Sequence, residues 1–245
     1  MLETTINGMK YLRTVFKRIN ISTITSLKEK YDYIYFVSYE KKDIQDFFCL
    51  YKKTAVIDLT KGLERVYYSF NKATRKQVNK SNRIQGLDFV SLDTNSSQAY
   101  NLLSKFELSQ GRTPPPSFEF SQSMIFSAYY NKRLIAYVSL FTNDGIIREI
   151  YKASVRLEKE DIPLNIISCA GRRIVYEICK YGINNGYDIY DLAVVNLTDP
   201  QKAGISKYKM SFTKTLIDTY IYRFETSEFI ELREKLLTEK NLYIH

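Results

Sequence analysis

Histidine is all but missing from this sequence: the single copy, His245, is the last of 245 residues. Chain ends fray, so a terminal side chain is a poor platform for chemistry. Mechanisms that need a positioned imidazole are thereby excluded, among them the Ser-His-Asp triad, the Cys-His pair and the His-bearing zinc site. Cysteine is also scarce. Cys49, Cys169 and Cys179 show no paired or metal-ligand spacing, which predicts free thiols in a reducing compartment. No apolar run reaches the roughly 18 residues that a membrane span needs. The N-terminus lacks the apolar core and small-residue cleavage site of a secretory signal. The expectation is a soluble, cytoplasmic protein. No G-x-G-x-x-G follows a strand-like run, which argues against a doubly wound nucleotide-binding sheet.

What the chain does have is positive charge: 36 Lys and Arg against 27 Asp and Glu, a net +9. Such an excess suits an anionic partner, such as a nucleotide, a diphosphate-bearing cofactor, RNA or a lipid surface, or else simply aids solubility. The hydrophobic share of 44% is enough for a sizeable core. Residues 9–19 fit a basic amphipathic helix, with Met9, Leu12, Phe16 and Ile19 on one side.

Short strands are expected at Tyr33–Val37, Ala55–Leu59 and Phe89–Leu92, with helices over residues 62–82 and 97–108. Thr113-Pro114-Pro115-Pro116 is the strongest breaker and reads as a rigid loop. After it, Met124–Tyr130, Arg133–Thr142 and Ile146–Val155 form an antiparallel meander, joined at Asn131-Lys132 and Asn143-Asp144-Gly145. A helix over Ala170–Asn184 follows, with Ser168 as its cap. Then come a strand over Tyr187–Val195, a short helix over 200–211, a strand over Thr215–Phe224 and a helix over Phe229–Lys240. This order predicts an α/β (α+β) fold with a mixed, largely antiparallel sheet flanked by helices, divided into an N-terminal subdomain (1–85) and a core (86–245).

Three motifs carry a family resemblance. Thr54-Ala55-Val56-Ile57-Asp58-Leu59 precedes Thr74-Arg75-Lys76-Gln77-Val78-Asn79-Lys80 and Gly86-Leu87. Tyr187-Asp188-Ile189-Tyr190-Asp191-Leu192-Ala193 ends a strand with Ala193 in place of a common glycine. Gly204-Ile205-Ser206-Lys207-Tyr208-Lys209-Met210-Ser211-Phe212 is similar to G-I-x-x-F-K-x-G-F, with Ser211 replacing the second glycine. Over residues 54–225 this order resembles the GNAT acyltransferase superfamily, and more narrowly its FemAB-like branch of peptidoglycan bridge-forming aminoacyltransferases.

The resemblance implies an N-acyltransferase. Acyl-CoA would be its co-substrate, with no tightly bound cofactor and no metal. The acceptor would be an amino group on a small cell-envelope precursor such as a nucleotide-linked amino sugar. It implies a diphosphate cradle at Ser168-Cys169-Ala170-Gly171-Arg172-Arg173, with Ser168, Ala170, Gly171, Arg172 and Arg173 as its binding residues, because backbone N–H groups at a helix start attract phosphate. The amine must lose a proton, and with no usable histidine a carboxylate is the natural base. Glu149 is the first candidate and Asp191 the second, and Tyr208 would protonate the leaving group. Arg112, Asp188, Asn196 and Lys209 would bind substrate. Two rival readings stand beside this: an aminoacyl transferase that takes its amino acid from tRNA, using the Lys and Arg of residues 61–83, and a non-catalytic RNA-binding module.

Overall fold

The structure is a computed structural model and describes residues 1–115, 117–157, 162–200 and 202–238. Asn7 and Gly8 set its first pair of elements. Both have positive φ, 48° and 84°, as a type I′ turn requires. They join β1 (Leu2–Ile6) to β2 (Met9–Phe16) with Leu2 opposite Arg13. The helix expected over residues 9–19 is therefore a strand. Its two faces are both buried: Leu12 packs with Ile24 and Phe36, and Val15 with Val37 and Phe141. A one-sided surface helix cannot satisfy both.

Asn20 caps α1 (Ile21–Lys28), accepting from Ser22 N at 3.0 Å, and β3 (Tyr33–Ser38) then runs parallel to β2. β4 (Phe48–Asp58) starts earlier than the expected Ala55. The single helix expected over 62–82 is two, α2 (Leu63–Ser69) and α3 (Lys72–Ser81). The break falls at Phe70-Asn71, where the Asn71 side chain accepts the Thr74 N–H at 2.8 Å and starts a new helix.

β5 (Leu87–Ser91), α4 (Ser96–Ser109) and the single turn α5 (Phe118–Ser121) lead to the meander of β6 (Met124–Tyr130), β7 (Arg133–Asn143) and β8 (Ile146–Ser154). Its two connectors are the expected tight turns, with φ of 50° and 66° at Asn131-Lys132 and 51° and 69° at Asp144-Gly145. Pro116 of the proline loop lies outside the described residues. The chain closes with α6 (Leu164–Asn184), β9 (Ile189–Val195), α7 (Ala203–Met210), β10 (Leu216–Glu225) and α8 (Ser227–Thr238).

Among the described residues, ten strands form one sheet in the order β1-β2-β3-β10-β4-β9-β8-β7-β6-β5. Only β2–β3 and β8–β9 are parallel, so the sheet is mixed and largely antiparallel, as expected. The boundary between residues 85 and 86 falls between α3 and β5, and the sheet runs across it: β4 lies between β10 and β9. The main core packs the Ile174, Val175 and Ile178 face of α6 against β6–β9. On the opposite side, Val15 of β2 and Val37 of β3 close onto Phe141 and Ile146, curling the sheet over itself.

The Asp144-Gly145 turn ties the two halves. Lys17 N donates to Asp144 Oδ2 at 2.7 Å, and Lys17 Nζ pairs with Asp188. A Cβ on Gly145 would stand 2.8 Å from both Asp188 Oδ2 and Lys17 Nζ, at a φ of 69°. Gly145→Ala should therefore cost about 1–2 kcal/mol in urea unfolding, whereas Gly111→Ala, with the same strain and nothing within 4 Å, should cost less.

Candidate active site

Two neighbouring strands part company in the middle of the sheet. β8 and β9 pair over only three positions, Ile146–Ile189, Ile147–Tyr190 and Arg148–Asp191. β8 then continues to Ser154 and β9 to Val195 without further pairing among the described residues. Local irregularities drive the split. Ser139 pairs with Tyr151 but Leu140 with Glu149, so Ile150 is an extra residue bulged out of β8. On β9, one more residue lies between Asp191 and Val194 than between their β4 partners Val56 and Thr54. Ala193 sits in this excess with a φ of 61°, which explains why a glycine is at home in the resembling motif.

The last paired position is locked by charge. Arg148 and Asp191, 4% and 0% exposed, form a buried ion pair. Asp191 also accepts from Thr54 Oγ1, from Tyr39 OH at 2.9 Å and from Ala193 N at 2.7 Å. With donors on both oxygens and no exposure, it has no lone pair free for a substrate. The sequence expectation of a second catalytic base at Asp191 is not met; its chemistry is internal.

Glu149 begins the separated wing of β8. It is 5% exposed, accepts from Tyr190 OH at 2.7 Å and pairs with Lys152 at 2.9 Å. Lys152 lies over the Tyr208 ring, 4.8 Å from its centroid, and Arg172 flanks the same ring at 5.5 Å. Arg172 donates to Ser168 Oγ at 2.8 Å, and its Nε is buried with no partner among the described residues. From the β9 side, α7 delivers Lys209, 6% exposed, whose ammonium donates to the Val194 carbonyl at 2.8 Å. Burial, with Lys152 as the next contributor, lowers its pKa to about 7; Glu149 and Asp191 work in the opposite direction. One carboxylate, three cations and the mouth of a strand separation thus share one place.

The other expected site residues fall elsewhere. Tyr208 OH donates to the Gly171 carbonyl at 2.9 Å, and burial, then Glu149, raises its pKa. It struts α7 against α6 and has no free proton to give a leaving group. The helix expected to start after Ser168 starts at Leu164, with Pro163 as its cap. Ser168, Ala170, Gly171, Arg172 and Arg173 therefore lie inside α6, where backbone N–H groups bond carbonyls one turn back. Ala170 is 0% exposed, and Arg173 is engaged by Glu177 at 2.5 Å and by Asn82. An amide cradle for a diphosphate is thus absent at 168–173.

Asp188 is six residues before Val194 at the far end of β9, about 20 Å away at strand rise, and is held by Lys17. Arg112 is 56% exposed and paired with Glu107 at 2.6 Å. The Asn196 side-chain oxygen caps a turn, accepting from Thr198 N at 3.2 Å and Asp199 N at 3.1 Å. Sequence reading gave no role to Tyr39, Thr54 or Tyr190. Only the alanine at a glycine position marked the turn between them.

No protein-family model matches this sequence, and comparison with curated proteins finds no match either. Solved structures do match in shape. FemX superposes with a TM-score of 0.61 at 10% identity, covering 96% of this chain and 85% of that one. L-PGS of Bacillus licheniformis gives 0.54 at 11%, covering 97% and 84%. The C-terminal domain of an Agrobacterium fabrum protein named for lysylphosphatidylglycerol synthetase gives 0.52 at 10%, covering 96% and 84%. The chain thus has the GNAT-like fold of FemX-type proteins, as the motifs implied; at this identity the likeness is one of fold. No helix among the described residues is long and apolar enough to cross a membrane.

Lys209 makes a signed pH prediction. Its folded pKa of about 7 lies below its ordinary 10.5, so between these values the unfolded chain binds more protons and stability rises with pH. The cost of burying the ammonium is full below pH 7 and gone above 10.5. Lys209→Met should therefore be more stable than wild type by about 2–4 kcal/mol at pH 6. In urea titrations this margin should shrink steadily towards pH 10.

Proposed function

We propose that this protein is a transferase that moves an aminoacyl group from an ester donor, aminoacyl-tRNA, onto an amine of a cell-envelope precursor. The observation that carries the choice of donor is the course of α6. A CoA diphosphate would need free N–H groups where the chain instead continues a helix, and the true first turn, after Pro163, holds no glycine and exposes Leu164. The tRNA reading draws on a different feature. Lys72, Lys76 and Lys80 recur every four residues along α3, a spacing of about 6 Å, and all three are exposed with no ion pair among the described residues. Exposed Tyr68, with Arg75 over its ring at 5.7 Å, extends this face. α3 packs on α6, where Gln77 accepts from Ser168 Oγ at 3.2 Å beside Arg172. The basic ridge therefore leads to the strand separation.

The chemistry follows from the cluster. The acceptor nitrogen attacks the ester carbonyl, and a C–N bond forms while the carbonyl oxygen gains negative charge. Glu149 takes the proton released by nitrogen, with Lys152 swinging aside to admit it. Lys209, protonated and donating to Val194 O, presents its remaining N–H bonds to the oxyanion. As the ester C–O bond breaks, it passes a proton to the departing ribose oxygen. Its lowered pKa makes it a stronger acid than an ordinary ammonium and suits it to that step. Arg172 Nε, a buried donor without a partner among the described residues, would hold a donor oxygen.

Thermal-shift titration tests the donor. Aminoacyl-tRNA should raise the melting temperature, and the gain should fade steeply from about 50 to 200 mM salt. Acetyl-CoA and longer acyl-CoAs should have no effect. Stabilisation by a CoA thioester alone would restore the acyl-CoA donor. Glu149→Gln should lower kcat roughly a hundredfold with folding intact; full activity would remove Glu149 from the reaction.

A further inference from the structure

One of the donors to the Asp191 carboxylate belongs to the backbone two residues on. The Ala193 N–H meets Asp191 Oδ1 at 2.7 Å, closing a local side-chain turn of the kind Asp favours. Ala193 takes a φ of 61° within it, a conformation that side chains other than glycine's rarely adopt. The next carbonyl in the chain, Val194 O, is the acceptor of the Lys209 ammonium at 2.8 Å. Four consecutive features thus connect a fully buried carboxylate to a buried lysine: Asp191, the Ala193 amide, the left-handed turn and the Val194 carbonyl.

We propose that Asp191 is the positioning residue for Lys209, acting through the Ala193 turn that aims the Val194 carbonyl at its ammonium. This rests on the role of Lys209 proposed above. Arg148 of β8, Thr54 of β4 and Tyr39, just past the end of β3, fix the carboxylate, so the turn is referenced to the rigid centre of the sheet. Lys209 gains one fixed acceptor, and two of its three N–H bonds remain for the reacting groups. The groups facing it are Lys152, Glu149 and Arg148 on β8 and Asp191 on β9. Alanine makes the dependence strict. A glycine would visit this backbone conformation unaided, whereas alanine needs the carboxylate to hold it there.

The test separates positioning from function. With lysine labelled at the ε-carbon and the signal assigned by Lys209→Arg, NMR follows the ionisation of Lys209 directly. Ala193→Val disfavours the left-handed turn at a half-buried site. It should free Lys209, move its titration midpoint up by at least one pH unit, and lower kcat roughly ten- to a hundredfold with KM unchanged. Asp191→Asn should release the same turn and lower kcat to a similar degree, and adding Ala193→Gly to it should bring kcat back towards the wild-type value. A midpoint unmoved in Ala193→Val, or a double variant no closer to wild type than Asp191→Asn, would overturn the proposal. Absence of transferase activity in the wild type, with the titration responding as expected, would sink the functional reading and leave the positioning intact.

Discussion

The buried pair of Arg148 and Asp191 is the constraint on which the site depends. It forms at the last position where β8 and β9 are still neighbours. Past it, a bulge on each side turns the strands apart, with Glu149 and Lys152 on the β8 wing and Lys209 and Arg172 brought to the opening by α7 and α6. Burying two charges is costly, and their attraction repays that only when the remaining lone pairs are met. Here they are, by Thr54, Tyr39 and the Ala193 amide. The pair is better understood as fixing where the sheet opens than as adding to stability.

Lys209 is the complementary expense. A buried ammonium with one backbone acceptor lowers its own pKa and works against folding below pH 7. An ordinary core would place an apolar residue there, and the segment just after α7 already presses Phe212 into the main core. Retaining a lysine 6% exposed at the mouth of a strand separation makes sense where a strong ammonium acid is needed. The same cluster keeps Glu149 at one carboxylate's distance, balanced by Lys152 on its own strand.

The meander, the mixed sheet and the final helix were legible because alternation and tight-turn residues are local signals; Asn131-Lys132 and Asp144-Gly145 behave as their composition demands. The first strand pair was equally local. Asn7-Gly8 is a strong turn signal, overshadowed by an apolar spacing over residues 9–19 that suits either a helix or a strand buried on both faces. Lys209 was legible as a member of a motif, and Glu149 from its place on the third strand of the meander. The roles of Tyr39, Thr54 and Tyr190 were not, because only the folded sheet brings these residues to Asp191 and Glu149, and no spacing in the sequence encodes it.

The start of α6 is where local reading failed with the largest consequence. Ser168 is a plausible cap and Gly171-Arg172-Arg173 a plausible phosphate loop when taken alone. Yet Leu164-Asn165-Ile166-Ile167 has no breaker, and Pro163 is well placed to start a helix because its missing N–H is one that a first turn leaves unbonded anyway. Once the helix begins six residues early, Arg172 changes meaning. It no longer flanks a cradle of free amides; it projects from the third turn towards Tyr208 and Lys152. A guanidinium there can hold one donor oxygen beside the strand separation, but it cannot replace several converging backbone amides around a diphosphate. The burden of binding a polyanion then shifts to the exposed lysines of α3, which favours a partner long enough to reach from that ridge to Lys209.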